Sequence, residues 1–173
     1  MNGPDYDVLI VGGGVAGLAC ASLLRNLLRG RREPLRIAVL EARAPRQPAA
    51  DAGPGLRVFA IAPAGRAILE ACGGWNGLPP GMASPYERMR VWQSGSTPFG
   101  AGSIGFDAAE SGGSDLGHIV DHDWLRLGLW NALLEPRGGE VHLLTGSSAA
   151  GLEAGPGATT VRLADGEALQ TRL

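Results

Sequence analysis

The 173-residue chain contains no lysine: its 15 basic residues are all arginine, set against 17 acidic ones for a net charge of −2. A mechanism that needs a lysine amine from this chain is therefore excluded. Together with the high alanine and glycine content, the arginine bias reads as compositional and carries little about function. Basic residues do not gather beyond Arg29 to Arg32, so a nucleic-acid surface is not supported. Cysteine is scarce too. Cys20 and Cys72 are far apart and form no CxxC pair, and they read as small core thiols, with Cys20 on the buried face of the first helix. His118 and His142 fall on expected strands without metal-ligand spacing or an adjacent cysteine, and no order of serine, histidine and acid suggests a triad. Val8 to Leu24 is free of charge, but three consecutive glycines and the acidic approach of Asp5 and Asp7 argue against a membrane span. A leader peptide's basic start and small-residue cleavage site are not visible. The expectation is a protein kept inside the cell, cytoplasmic, with enough apolar residues (45%) for one good core.

What is present is concentrated near the N-terminus. Asp7-Val-Leu-Ile-Val runs into Gly12, Gly14 and Gly17 and then into a helical pattern, the order of a strand, a glycine turn and a helix. In a dinucleotide site the first glycine permits the tight turn, the second lets the backbone approach a pyrophosphate, and the third lets the helix pack on the strand. Glycines alone are a weak signal, shared with glycine-rich loops of other α/β proteins. A second apolar run, Leu35 to Leu40, ends at Glu41, whose carboxylate can accept hydrogen bonds from ribose hydroxyls and would repel a 2′-phosphate. FAD and NAD both satisfy that pattern.

Downstream, the spacing predicts a first helix over Val15 to Leu28 with Ala16, Cys20, Leu23 and Leu27 on one face. A loop over 42–55 follows, then an extended segment Arg57 to Ile61 and a helix from Pro63 to about Cys72, stopped by Gly73-Gly74. Residues 75–85 read as a turn-rich connection. Met89, Val91 and Trp92 predict one strand and Ile104 and Phe106 another, joined as a hairpin that has the look of an inserted sheet. Leu116 to Val120 is extended, and a helix to Leu134 is capped by Asp121 or Asp123. A strand over Glu140 to Leu144 and a terminal hairpin turning at Asp165-Gly166 complete the chain.

The glycine motif with Glu41, followed in order by Arg57-Val-Phe-Ala-Ile-Ala, Met89-Arg-Val-Trp, Ile104-Gly-Phe-Asp-Ala-Ala, Leu116-Gly-His-Ile-Val-Asp-His and Leu129-Trp-Asn-Ala-Leu, resembles the flavin-dependent aromatic hydroxylases of ubiquinone biosynthesis, group-A FAD monooxygenases. The resemblance runs over nearly the whole chain. It implies an α/β, Rossmann-like FAD-binding fold with the start of an inserted β-sheet substrate domain, truncated. Residues 1–85 would be the first part of the FAD-binding subdomain, 86–116 strands of the substrate domain, and 117–173 an incomplete return. It implies FAD as cofactor and, as partners, a prenylated phenol or quinol, dioxygen and an external electron donor. Peripheral association with the inner membrane or a biosynthetic complex stays open. The same resemblance would place Gly12, Gly14 and Gly17 on the pyrophosphate, Glu41 on the adenosine ribose, Arg57 along the cofactor and Asp121 near the ribityl chain.

Arg126, one turn into the helix after Asp121, could reach the same cofactor, although a solvated helix-face arginine is the plainer reading. Trp92, Phe106 and Met89 could line a pocket for the substrate ring, but alternating apolar residues on a strand are more often core. Phe59 stands where the family usually has a small residue, and His122 where asparagine is common; a lone histidine beside a helix cap reads as structural. No catalytic residue is identified. The sequence stops before the family's second FAD motif, so the expectation is an N-terminal fragment unable to hydroxylate alone. Another FAD oxidoreductase of the same fold, or a non-catalytic FAD-binding or assembly subunit, remains open at this point.

Overall fold

The computed structural model describes residues 4–49, 53–136 and 139–173. Its centre is a parallel sheet of β1 (Val8–Val11), β2 (Ile37–Glu41) and β8 (Val141–Thr145), in the order β1-β2-β8. The middle strand is apolar at consecutive positions because both its faces are covered. Ile37 and Val39 join Leu18 and Ala21 of α1 (Val15–Leu27) and Leu125, Leu129 and Leu133 of α3 (His122–Leu134) in the larger core. Ala38 and Leu40, pointing the other way, pack with Leu9, Val161 and Leu163. Val161 and Leu163 belong to β10 (Ala158–Leu163), the middle strand of an antiparallel sheet with β9 (Ala149–Gly155) and β11 (Ala168–Thr171). A helical layer thus covers one face of the parallel sheet and a second sheet covers the other.

Two smaller sheets complete the chain. β7 (Gly117–Asp121) lies between β3 (Val58–Ile61) and β4 (Ala83–Tyr86), antiparallel to both, and β5 (Arg88–Val91) pairs with β6 (Ile104–Asp107) as the expected hairpin. α2 (Pro63–Ala71) begins on its proline and reaches its C-cap at Cys72. The stretch read as a turn-rich connection instead holds a 3₁₀ turn at Trp75–Gly77 and the strand β4. β4 carries no apolar alternation and contains Pro85; as an edge strand it can tolerate a missing N–H donor, and its pairing with β7 defines it. β9, rich in alanine and glycine, was likewise not foreseen and is formed by pairing with β10.

The buried face of α1 differs from the expected one. Leu18, Ala21, Ser22 and Arg25 are buried, whereas Ala16, Cys20 and Leu27 are exposed. Two polar residues decide this face because their partners come from elsewhere in the chain. Ser22 Oγ donates to the Cys72 carbonyl at 3.2 Å. The Arg25 guanidinium donates to the carbonyls of Ala132, Leu133 and Glu135 at 2.9–3.3 Å. It sits where the C-terminal carbonyls of α3 lack helical partners and the helix dipole is negative.

Cys20 is consequently a surface thiol, while burial pushes the Cys72 thiol up from its ordinary pKa. Brief alkylation of the folded chain at pH 8 should label Cys20 alone, with Cys72 reacting after denaturation. Peptide mass mapping that finds both cysteines labelled at equal rates in the folded chain would contradict this packing.

Candidate functional site

β1 ends at Val11 and α1 starts at Val15, so Gly12, Gly13 and Gly14 make the whole turn. Gly12 has a φ of +107°, a conformation side chains resist, and its N–H donates to the Leu40 carbonyl of β2 at 2.8 Å. Gly17, in the first turn of α1, lies directly under that bend. A Cβ there would stand 2.0 Å from the Gly12 carbonyl oxygen, so any side chain would push the helix off the turn. Gly14 is the N-cap of α1, in extended conformation, and no side chain caps the helix. A Cβ on Gly14 would meet nothing within 4 Å. The N–H groups of the first helical turn and the positive end of the dipole therefore face open space, the arrangement that receives a phosphate.

The carboxylate at the end of β2 is built into this turn. Glu41 Oε2 accepts the Gly13 N–H at 2.6 Å, and Oε1 accepts the Arg43 N–H at 3.1 Å. Gly13 was not singled out in the sequence, yet it is sterically the most confined of the three turn glycines: a Cβ there would lie 2.9 Å from Glu41 Cβ and Cγ. The signal available was three glycines in succession rather than the usual alternation. Arg126 of α3, read as a solvated arginine, instead turns inward. Its Nε donates to the Gly13 carbonyl at 2.7 Å, one Nη donates to the Arg43 carbonyl at 2.6 Å, and the same Nη lies 3.4 Å from Glu41 Oε1.

An open groove of about 620 Å³ runs from this turn along β3. Gly12, Gly14 and Gly17 line one side; Arg57, Phe59 and Ile61, which share one face by the two-residue period of a strand, line the other with His122. Phe59 stands at the middle of that wall. Its ring meets the His122 ring edge-on at 5.3 Å, and the Arg57 guanidinium lies 5.5 Å from its centroid. His122 Nδ1 is 2.7 Å from Asp123 Oδ1. The groove brings together four of the six expected cofactor residues, with Glu41 joined to it through Gly13.

Asp121 is placed differently. Only 3% exposed, it is the cap of α3: Oδ1 accepts from the Asp123 and Trp124 N–H groups at 2.9 Å, and Oδ2 accepts the Gly55 N–H at 2.6 Å. Its carboxylate is engaged by backbone, and the groove wall nearby is His122 and Arg57. Met89, Trp92 and Phe106 are not core: each is 44–47% exposed, because among the described residues no layer covers the β5–β6 hairpin. Met89 and Phe106 line a shallow crevice of about 370 Å³ with Arg88, Arg90 and Phe99. No group of three or more potential metal ligands occurs among the described residues, and no described helix is long and apolar enough to cross a membrane.

A parallel β-α-β unit with a glycine turn under the helix N-terminus and an acid at the end of the second strand defines a Rossmann-like dinucleotide-binding fold. Residues 10–45 match the family model for NAD(P)-binding Rossmann-like domains. More particularly, the chain is 30% identical over 133 residues to the 3-demethoxyubiquinol 3-hydroxylase of Escherichia coli K12, covering 77% of this chain and 31% of that protein. It is 30% identical over 178 residues to the mitochondrial ubiquinone biosynthesis monooxygenase COQ6 of Xenopus tropicalis, covering 97% of this chain and 36% of the relative. These relatives bear out the resemblance carried by the motifs. The fold also matches the crystal structure of pqsL, a probable FAD-dependent monooxygenase of Pseudomonas aeruginosa, with a TM-score of 0.61 at 22% identity over 97% of this chain and 41% of that one. The chain spans about a third of the length of the curated relatives it matches.

The glycines separate binding from folding. Gly14→Val keeps an allowed backbone and open space, so it should leave the thermal transition in place while abolishing measurable binding of an adenine dinucleotide. Gly17→Ala should cost stability instead, about 1–3 kcal/mol as overpacking does. Parallel circular dichroism melts and ligand titrations check the pair; a folded Gly14→Val that binds as well as the parent would remove the phosphate assignment.

Proposed function

We propose that this chain forms the cofactor-binding part of an FAD-dependent monooxygenase that hydroxylates the ring of a prenylated phenol or quinol. The observation that carries the reading is the joined network of glycine turn, Glu41 and Arg126 beside a groove that continues to Arg57. The residues present fit FAD. The open first turn of α1 and the Arg57 fork are donors for a pyrophosphate, and Glu41 retains acceptor capacity for a ribose hydroxyl. The acid disfavours a 2′-phosphorylated adenosine. Relatives named as monooxygenases, and a matching fold in a probable FAD-dependent one, support FAD over NAD.

Bound FAD would supply the activation of dioxygen with electrons from an external donor. The chain's own part is to bind and orient. Helix α1 and Arg57 hold the phosphates, Glu41 fixes the adenosine end, and Phe59 with His122 walls the groove beyond. In this reading residues 1–85 and 117–173 serve the cofactor, and 86–116 begin the sheet that receives the substrate. The half-exposed Met89, Trp92 and Phe106 offer that ring an apolar wall which the cofactor fold itself does not need. No residue of the chain is assigned an acid, base or nucleophilic role.

Titration of the chain with FAD should quench flavin fluorescence to a one-to-one end point that NADP does not compete away. Tight NAD binding with no flavin binding would reverse the cofactor assignment. For the enzyme to which the domain belongs, mass spectrometry of products formed under labelled dioxygen should show one labelled oxygen per ring. Flavin turnover without incorporation would instead make it an oxidase or reductase on the same fold.

A further inference from the structure

A single guanidinium joins the glycine turn to the end of β2, two segments remote from it in the chain: it meets the Gly13 carbonyl in the turn, and Glu41 and the Arg43 carbonyl at the strand end. Its side chain is 17% exposed, and Glu41 is 19% exposed. An arginine that merely braced two loops would need only the carbonyls of Gly13 and Arg43. The additional approach to Glu41 Oε1 bears on what that carboxylate can do. A carboxylate offers about four acceptor positions. Here Oε2 is hydrogen-bonded to the Gly13 N–H, while Oε1 accepts the Arg43 N–H and faces Arg126. Backbone leaves one position on each oxygen; the one on Oε1 faces the guanidinium, so the one open to a ligand is on Oε2, the oxygen bonded to the glycine turn.

We propose that Arg126 is a positioning residue for the adenosine end of the cofactor, holding Glu41 in the one orientation that keeps an Oε2 acceptor open to a ribose hydroxyl. The inference rests on the dinucleotide reading of the same groove. Arg126 suits the role because its planar fork serves acceptors on two loops at fixed angles, which a lysine ammonium on a flexible stem does not reproduce. Its own place is set by Asp121, which caps α3 one turn earlier and so fixes the helix from which Arg126 reaches back. Asp121 thereby contributes to the site through α3 rather than by touching the cofactor. Without the guanidinium, Glu41 loses the positive charge beside Oε1, and the Gly13 and Arg43 backbone that donates to its two oxygens loses its tie to α3, so the carboxylate is held less firmly toward the ribose.

The test compares two probes on the 173-residue chain: FAD, and an FAD analogue lacking both adenosine ribose hydroxyls. The parent should bind FAD at least about tenfold tighter than the analogue. In Arg126→Met the two affinities should converge to within about twofold, with the ratio partly restored in Arg126→Lys and circular dichroism showing both variants folded. A purely bracing role would weaken both probes equally and leave the parent ratio intact, which would overturn the proposal. Should Arg126→Met fail to fold, Arg126→Lys decides by the same ratio: a reduced ratio supports the proposal and an unchanged one overturns it. A parent that binds FAD but does not distinguish the analogue overturns this inference and leaves the cofactor reading standing. A parent that binds neither removes both.

Discussion

The close approach of helix α1 to the glycine turn is the constraint on which the rest of the site depends. Gly17 beneath the Gly12 carbonyl lets the helix start immediately after the bend, so its uncapped N-terminus opens on the groove rather than on packed side chains. A helix end left without a side-chain cap costs stability unless something else satisfies its N–H groups. Here the cost is accepted where a phosphate can be received. Gly12 then ties the bend to β2 through the Leu40 carbonyl, which brings Glu41 alongside Gly13.

The third helix completes what the β-α-β unit begins. Its face toward the sheet is a hydrophobic anchor of Leu125, Leu129 and Leu133, and each of its ends is fixed by a charged side chain of the opposite dipole sense. Asp121 caps the N-terminus, and Arg25 from α1 covers the C-terminal carbonyls. A helix held at both ends is a firm base for a residue that must reach the glycine turn and the end of β2. Arg126 projects from it to the turn. The glycine turn, the acidic strand end and the capped helix α3 are thus mechanically one unit.

The strand, glycine turn, first helix and acid were legible because each is a local pattern: a continuous apolar run, permissive glycines, helical spacing and an acid closing a second apolar run. The wall formed by Arg57 was legible only through the family's motif, since a strand-end arginine carries no local signal of what it faces. What escaped reading depended on partners remote in the chain. Arg25 was not singled out and Arg126 read as a surface charge, because both donate to backbone carbonyls that no side-chain pattern announces. Asp121 was one of two caps the sequence offered, and the structure shows its carboxylate taken up by the backbone N–H groups of Gly55, Asp123 and Trp124. β4 and β9 have sequences that pairing alone turns into strands. The apolar residues of β5 and β6 read as core, but nothing among the described residues packs on them.

The most direct measurement of the central claim is amide chemical-shift mapping of the isotope-labelled chain during addition of FAD. The account predicts that the largest shifts fall on residues 12–17, on Glu41 and Arg43, and on Arg57 and His122 along the groove, with the β9–β11 sheet unaffected. Saturable shifts centred instead on the β5–β6 hairpin or the β9–β11 sheet, with the glycine turn unmoved, would contradict it.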